Sequence, residues 1–175
     1  MKRKWVLGIV AAGCLFLIII FCNNTMPDYG IHSNWKKVLL NTLLSEDVPK
    51  ISVMDAQALK GKAIFLDTRG ANEYNISHIE GARFVGYQEF DISSLSDLPK
   101  DQPIITYCSI GKRSDVIGRK LIDADFTHVQ NMYGGLFEWV NKGAPVVDAQ
   151  NNQTQKIHAY NKPWGCWLHR GEKVY

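Results

Sequence analysis

The chain holds 175 residues, 46% of hydrophobic type and 21% charged, which fits one domain of about 100–200 residues with an appendage and excludes a multidomain assembly. Of 20 Lys and Arg, three (Lys2, Arg3, Lys4) precede the apolar run that starts at Trp5, and the rest balance the 17 Asp and Glu, so the formal charge of +3 belongs to the N-terminus. That balance leaves no basic field for a phosphate backbone and excludes nucleic acid as the expected partner.

From Trp5 to Cys22 no side chain is charged or strongly polar, behind Met1-Lys2-Arg3-Lys4 and ahead of Asn23-Asn24-Thr25. At ~1.5 Å per residue a helix of this length spans about 27 Å, close to the hydrocarbon thickness of a bilayer, whereas a signal-peptide core has about 7–15 apolar residues. Residues 1–22 therefore read as a signal anchor whose basic flank stays in the cytoplasm. The domain is then expected on the periplasmic side of a bacterial inner membrane. Two alternatives also export it: cleavage, which frees it into the periplasm, or lipid attachment at Cys14 after Ala11-Ala12-Gly13.

Residues 23–50 begin polar, and then Trp35, Val38, Leu39 and Leu43 follow the spacing of a short amphipathic helix that packs on the domain. From Pro49 onward short β-like runs (50–53, 63–67, 82–85, 104–108, 129–132) alternate with helical stretches (54–59, 71–75, 114–124, 136–141). This alternation predicts an α/β domain over 51–148, a mainly parallel sheet with helices on both faces. At Asp148 the composition turns polar, and Ala149 to Gln155 reads as a linker or extended loop where the core ends. Residues 149–175 then form an aromatic extension, with Tyr160, Trp164, Cys166 and Trp167, that packs back onto the domain or binds something.

The segment Ile104-Ile105-Thr106-Tyr107-Cys108-Ser109-Ile110-Gly111-Lys112-Arg113-Ser114 reads as a buried strand, a short loop and a helix start capped by Ser114. Cys108 thus sits at a strand's C-terminal end, the edge where open α/β sheets bind ligands, beside loop N–H groups able to cradle an anion. The helix N-terminus, Lys112 and Arg113 are expected to favour the thiolate and make Cys108 a nucleophile. Gly111 allows the tight turn and leaves the cradle open. A lone cysteine in such a place is otherwise a small apolar residue ending a core strand.

Three segments resemble the rhodanese family: the Cys-x-x-Gly-x-Arg loop of Cys108, Gly111 and Arg113; Leu66-Asp67-Thr68-Arg69 with Glu73-Tyr74 and His78-Ile79-Glu80-Gly81-Ala82; and Gly134-Gly135-Leu136-Phe137-Glu138-Trp139. The resemblance covers about 51–148, departs at Ser77 where the family usually has Gly, and leaves the anchor and the tail outside it. It implies a rhodanese-like α/β fold and sulfur transfer. Four residues separate Cys108 from Arg113, as in sulfur-transferring rhodaneses, whereas related phosphatases and arsenate reductases carry a loop one residue longer.

The resemblance implies that Cys108 takes a sulfane sulfur from thiosulfate or a persulfide and passes it to a thiol or cyanide. Arg113 is expected in the catalytic site with Cys108, and Ser109, Ile110, Gly111, Lys112 and Ser114 are expected around the donor. Asp67 and Arg69 are expected to support loops structurally, His78 to anchor a turn and Trp139 to sit in the core. No metal or cofactor is expected, because the five His show no ligand spacing. Two other readings stand beside this one. Cys166, the only other cysteine outside the apolar segment, could pair with Cys108 in an exported thiol redox protein; alternatively, the fold could serve as a non-catalytic binding module.

Overall fold

Strand β4 (Ile104–Tyr107) is buried at all four positions, as its unbroken apolar and β-branched run requires in a sheet covered on both faces. The computed structural model describes residues 34–175; the expected anchor over 1–22, Cys14 included, lies outside the described residues. Among the described residues no helix is long and apolar enough to cross a membrane.

Helix α1 (Asn34–Leu43) leads into β1 (Lys50–Ile51), α2 (Val53–Ala58), β2 (Ile64–Asp67), α3 (Ala71–Ile76) and β3 (Arg83–Phe84). After a 3₁₀ turn (Ile92–Leu95) come β4, α4 (Lys112–Asp123), β5 (Val129–Met132) and α5 (Gly135–Asn141). The five strands form one parallel sheet in the order β1-β5-β4-β2-β3. β4 is central, and Asp67 pairs with Tyr107 at the strand ends that face the site.

Strand alternation divides the core between the two faces. Phe65, Ile105, Tyr107 and Met132 pack with Leu40, Ala56, Leu136 and Trp139 on one side. Leu66, Ile104 and Val129 pack with Ile117 and Leu121 of α4 on the other. At about 25 cal/mol per Å² of apolar area, the buried Leu, Ile, Val, Phe and Met side chains here each contribute roughly 1.5–3 kcal/mol of burial free energy.

Two sequence expectations are corrected here. Residues 149–155 are not a linker: β6 (Val146–Val147) and β7 (Gln153–Thr154) pair antiparallel, and Asp148 Oδ1 closes the turn by accepting from the N–H groups of Gln150 (2.9 Å) and Asn152 (3.0 Å). Nor does the core end at Asp148. The chain continues into β8 (Lys156–His158), α6 (Lys162–Gly165) and β9 (Glu172–Val174), and Ile157, Ala159, Trp167 and Leu168 are buried in the main core.

The extension meets α1 across an aromatic seam. Trp35 and Trp167 lie edge to face with centroids 5.4 Å apart, and buried Lys36 places Nζ 2.7 Å from His169 Nε2. Leu40 and Leu44 anchor α1 in the core. The two segments flanking the sheet domain thus close on each other beside the end of β4.

Candidate active site

Cys108 follows β4 directly and is buried. Its loop turns through Gly111, whose φ of +108° suits glycine alone. The Gly111 N–H donates to Cys108 Sγ at 3.1 Å. A Cβ at Gly111 points toward the Met132 carbonyl oxygen at 3.4 Å, so this glycine serves the turn and does not keep the cradle empty by lacking a side chain.

Helix α4 begins at Lys112 with Gly111 in the cap position. Ser114, expected as the cap, lies inside the first turn and is fully buried. Its Oγ donates to Asn131 Oδ1 (2.7 Å), and Asn131 Nδ2 donates to the Gly111 carbonyl (2.9 Å), so Ser114 braces the loop from behind.

A second helix holds the loop from the opposite side. At the start of α5, the N–H of Leu136 donates to the Cys108 carbonyl (2.8 Å) and that of Phe137 to the Ser109 carbonyl (3.0 Å). The approach is close enough that a Cβ on Gly135 would lie 2.3 Å from the Cys108 carbonyl oxygen and 2.8 Å from the Ile110 nitrogen. The Gly134-Gly135 pair is therefore the condition for packing α5 against the loop.

The first-turn acid of α3, Glu73, carries no site expectation in the sequence, yet it organises the charges here. Its Oε2 accepts from Arg113 Nη1 (2.6 Å) and the Gly70 N–H (3.0 Å), and its Oε1 accepts from Arg113 Nη2 (2.8 Å) and Ser109 Oγ (3.1 Å). Burial disfavours the Glu73 charge, but the Arg113 hydrogen bonds and charge, with the Gly70 N–H, hold its carboxyl down to about 2. Burial likewise opposes the Arg113 charge; Glu73 and the adjacent Cys108 sulfur outweigh it and raise the guanidinium above its ordinary value. The available sequence signal was a Glu three residues into a helix, which reads as a capping residue.

Asp67 and Arg69 form a separate, fully buried pair. Arg69 Nη2 donates to Asp67 Oδ2 and to the Ser77 carbonyl, both at 2.6 Å, tying the end of β2 to the end of α3. Ser77 is extended at φ −166°, which explains why a non-glycine residue fits there. His78 stacks on Tyr74 with centroids 3.8 Å apart and bonds its backbone to Val147. Trp139 is buried and donates Nε1–H to the Pro145 carbonyl at 2.9 Å.

A pocket of about 170 Å³ opens over Cys108. Ser109, Ile110, Lys112 and Arg113 supply its loop side, and Leu43 of α1 with Tyr160 and Trp164 of the extension supply the rest. Tyr160 faces Arg113, whose guanidinium carbon is 5.0 Å from the ring centroid. Lys112 Nζ donates to the Leu43 carbonyl at the end of α1. Of the sequence-selected residues, Cys108, Ser109, Ile110, Lys112 and Arg113 thus share one pocket, whereas Asp67, Arg69, Gly111, Ser114 and Cys166 are absent from its lining. Cys166 is exposed, with its thiol on the Pro163 carbonyl at 2.9 Å, and both described cysteines are free. Among the described residues no cluster of His, Cys, Asp and Glu could hold a metal.

Comparison with known proteins agrees with this architecture. The chain is 31% identical over 108 residues to the thiosulfate sulfurtransferase GlpE of Pseudomonas fluorescens, covering 59% of this chain and 94% of that protein. It is 34% identical over 53 residues to a sulfurtransferase of Allochromatium vinosum, covering 30% of this chain and 50% of that protein, so it spans only half the length of that relative. The solution structure of the rhodanese-like domain of an Anabaena protein superposes with a TM-score of 0.53 at 25% identity, over 57% of this chain and 79% of that one. A family model described as "Rhodanese-like domain" matches residues 52–142, more than half of the chain, from the cap of α2 to the residue after α5. The chain belongs to the rhodanese-like domain family.

Proposed function

We propose that this protein is a sulfurtransferase that carries sulfur as a Cys108 persulfide. The observation that carries the reading is the Gly111 N–H on Cys108 Sγ at 3.1 Å, in a loop whose carbonyls are held by α5. Family membership and the sulfurtransferases among its relatives support sulfur transfer at the level of the family.

In the first half-reaction the Cys108 thiolate attacks the outer sulfur of the donor. A Cys108 S–S bond forms, the donor's S–S bond breaks, and its electron pair leaves on sulfite, from thiosulfate, or on a thiolate, from a persulfide. In the second half, a thiolate or cyanide attacks the outer sulfur and the Cys108 thiolate leaves. The Gly111 N–H and the Arg113 guanidinium stabilise negative sulfur in both steps without moving, a preorganised electrostatic contribution. Glu73 fixes Arg113 in place. The chain's own sulfur is the carrier, so the steps call for no cofactor.

The hydrophobic N-terminus extends the proposal to location: residues 5–22 anchor the domain at a membrane, with the sulfur chemistry on the exported side. Fractionation of cells producing the full chain tests this. The activity test is sulfite release from thiosulfate that stops near one equivalent per Cys108 without an acceptor, continues with added cyanide or thiol, and is lost in Cys108→Ser; sulfite release at an equal rate from Cys108→Ser contradicts the mechanism.

A further inference from the structure

Resting on the sulfur-transfer reading, we infer that the C-terminal extension is a specificity element, and that the sulfur donor carries an apolar organic group of about the size of one ring. The extension lies beyond the 52–142 family match, yet Tyr160 and Trp164 wall the Cys108 pocket.

The backbone is built to place these rings. Tyr160 adopts φ +63°, a left-handed conformation that is an outlier for a bulky residue and persists where surrounding structure imposes it. Here its N–H donates to His158 Nδ1 at 3.0 Å, and His158 Nε2 lies 3.3 Å from the side-chain amide of Asn72 on α3. Trp164 is fixed by its own N–H donating to Asn161 Oδ1 at 3.0 Å. Tyr160 remains 47% exposed, and Trp164, which packs against the core on one side, is only partly buried.

Both cations of the pocket are engaged by the protein. Arg113 is paired to Glu73, and Lys112 donates to the Leu43 carbonyl. The Leu43 carbonyl is neutral, so Lys112 keeps its charge for the anionic sulfane end that thiosulfate and organic thiosulfonates share, whereas the second charge of a small dianion loses water and meets only the already paired Arg113, which is costly. An apolar group against Leu43, Ile110, Tyr160 and Trp164 gains by leaving water. The volume of about 170 Å³ resembles that of an apolar cavity of about 150 Å³ that accepts benzene.

Benzenethiosulfonate and methanethiosulfonate present the same sulfane sulfur and the same single charge and differ in the apolar body. With either, the Cys108 thiolate takes the outer sulfur, the S–S bond breaks, and its electron pair leaves on the sulfinate, which conserves charge and sulfur. Loading of Cys108 is followed by mass for these two donors and for thiosulfate, in the wild type, Tyr160→Asn and Trp164→Ala. Asn tolerates the left-handed backbone, so Tyr160→Asn removes the ring without disturbing the turn. The expected result is a phenyl-to-methyl ratio in kcat/KM of about ten or more in the wild type, falling severalfold in each folded variant through KM for the phenyl donor. A ratio near one, or one that Tyr160→Asn leaves in place, overturns the inference. If none of the three donors loads Cys108, the sulfur-transfer reading itself fails.

Discussion

Glu73 and Arg113 meet through two parallel hydrogen bonds of 2.6 and 2.8 Å, and the same guanidinium reaches Ser109 Oγ at 2.9 Å beside Cys108. The pair links α3 to the first turn of α4 across the end of the sheet, so the charge near the sulfur is positioned by a residue outside the nucleophile loop.

Replacing Glu73 by Gln keeps the shape and removes the charge. Arg113 then remains largely buried without its counter-ion, and removing one partner of a buried pair costs about 3–5 kcal/mol when the site is dry. With Arg113 one-fifth exposed, the expected loss is about 2 kcal/mol, read as a lower midpoint in urea, together with slower Cys108 loading.

The same pair sets an acid limit. Glu73 titrates at about 2 in the folded chain and near 4.5 when unpaired, so the unfolded state binds its proton first as pH falls. Its contribution is fully present above about pH 4.5 and is lost between about 4.5 and 2, amounting to roughly 3 kcal/mol. Urea midpoints measured across this range are expected to fall more steeply for the wild type than for Glu73→Gln. Parallel curves would contradict the assignment.

Gly135→Ala puts a methyl 2.3 Å from the Cys108 carbonyl oxygen, at a φ of +57°. Either α5 or the nucleophile loop must shift, at a cost of about 3 kcal/mol or more. Gly61→Ala is the control: its φ is +78°, but nothing lies within 4 Å of the added Cβ, so it carries backbone strain of about 1 kcal/mol alone. Thermal melts and Cys108 loading are expected to separate the two, with loading lost only in Gly135→Ala.

The sheet was legible because its strands are short apolar runs separated by helical patterns, and β4, buried on both faces, carries no polar interruption beyond Thr106. The nucleophile loop was legible because glycine and basic residues follow a strand-ending cysteine. Glu73 was not, since a first-turn glutamate reads as a capping residue until the fold brings it to Arg113, 40 positions away. Ser114 misled for a related reason: a serine near a helix start suggests a cap, but Gly111 at positive φ begins the helix three residues earlier. The extension's place over Cys108 left no local signal, because Tyr160 and Trp164 read only as aromatic residues until β8 and β9 pair and carry them to the pocket.

The central claim concerns one atom, the sulfur carried by Cys108. A folded, fully reduced protein beginning near Asn23 is incubated with thiosulfate and, separately, with benzenethiosulfonate, and peptide masses are taken beside Cys108→Ser. One added sulfur on the Cys108 peptide, absent from the variant and removed by cyanide or a thiol, is the result expected. A Cys108 peptide left unchanged by both donors, or sulfur added equally at Cys166 in the Cys108→Ser variant, would contradict it.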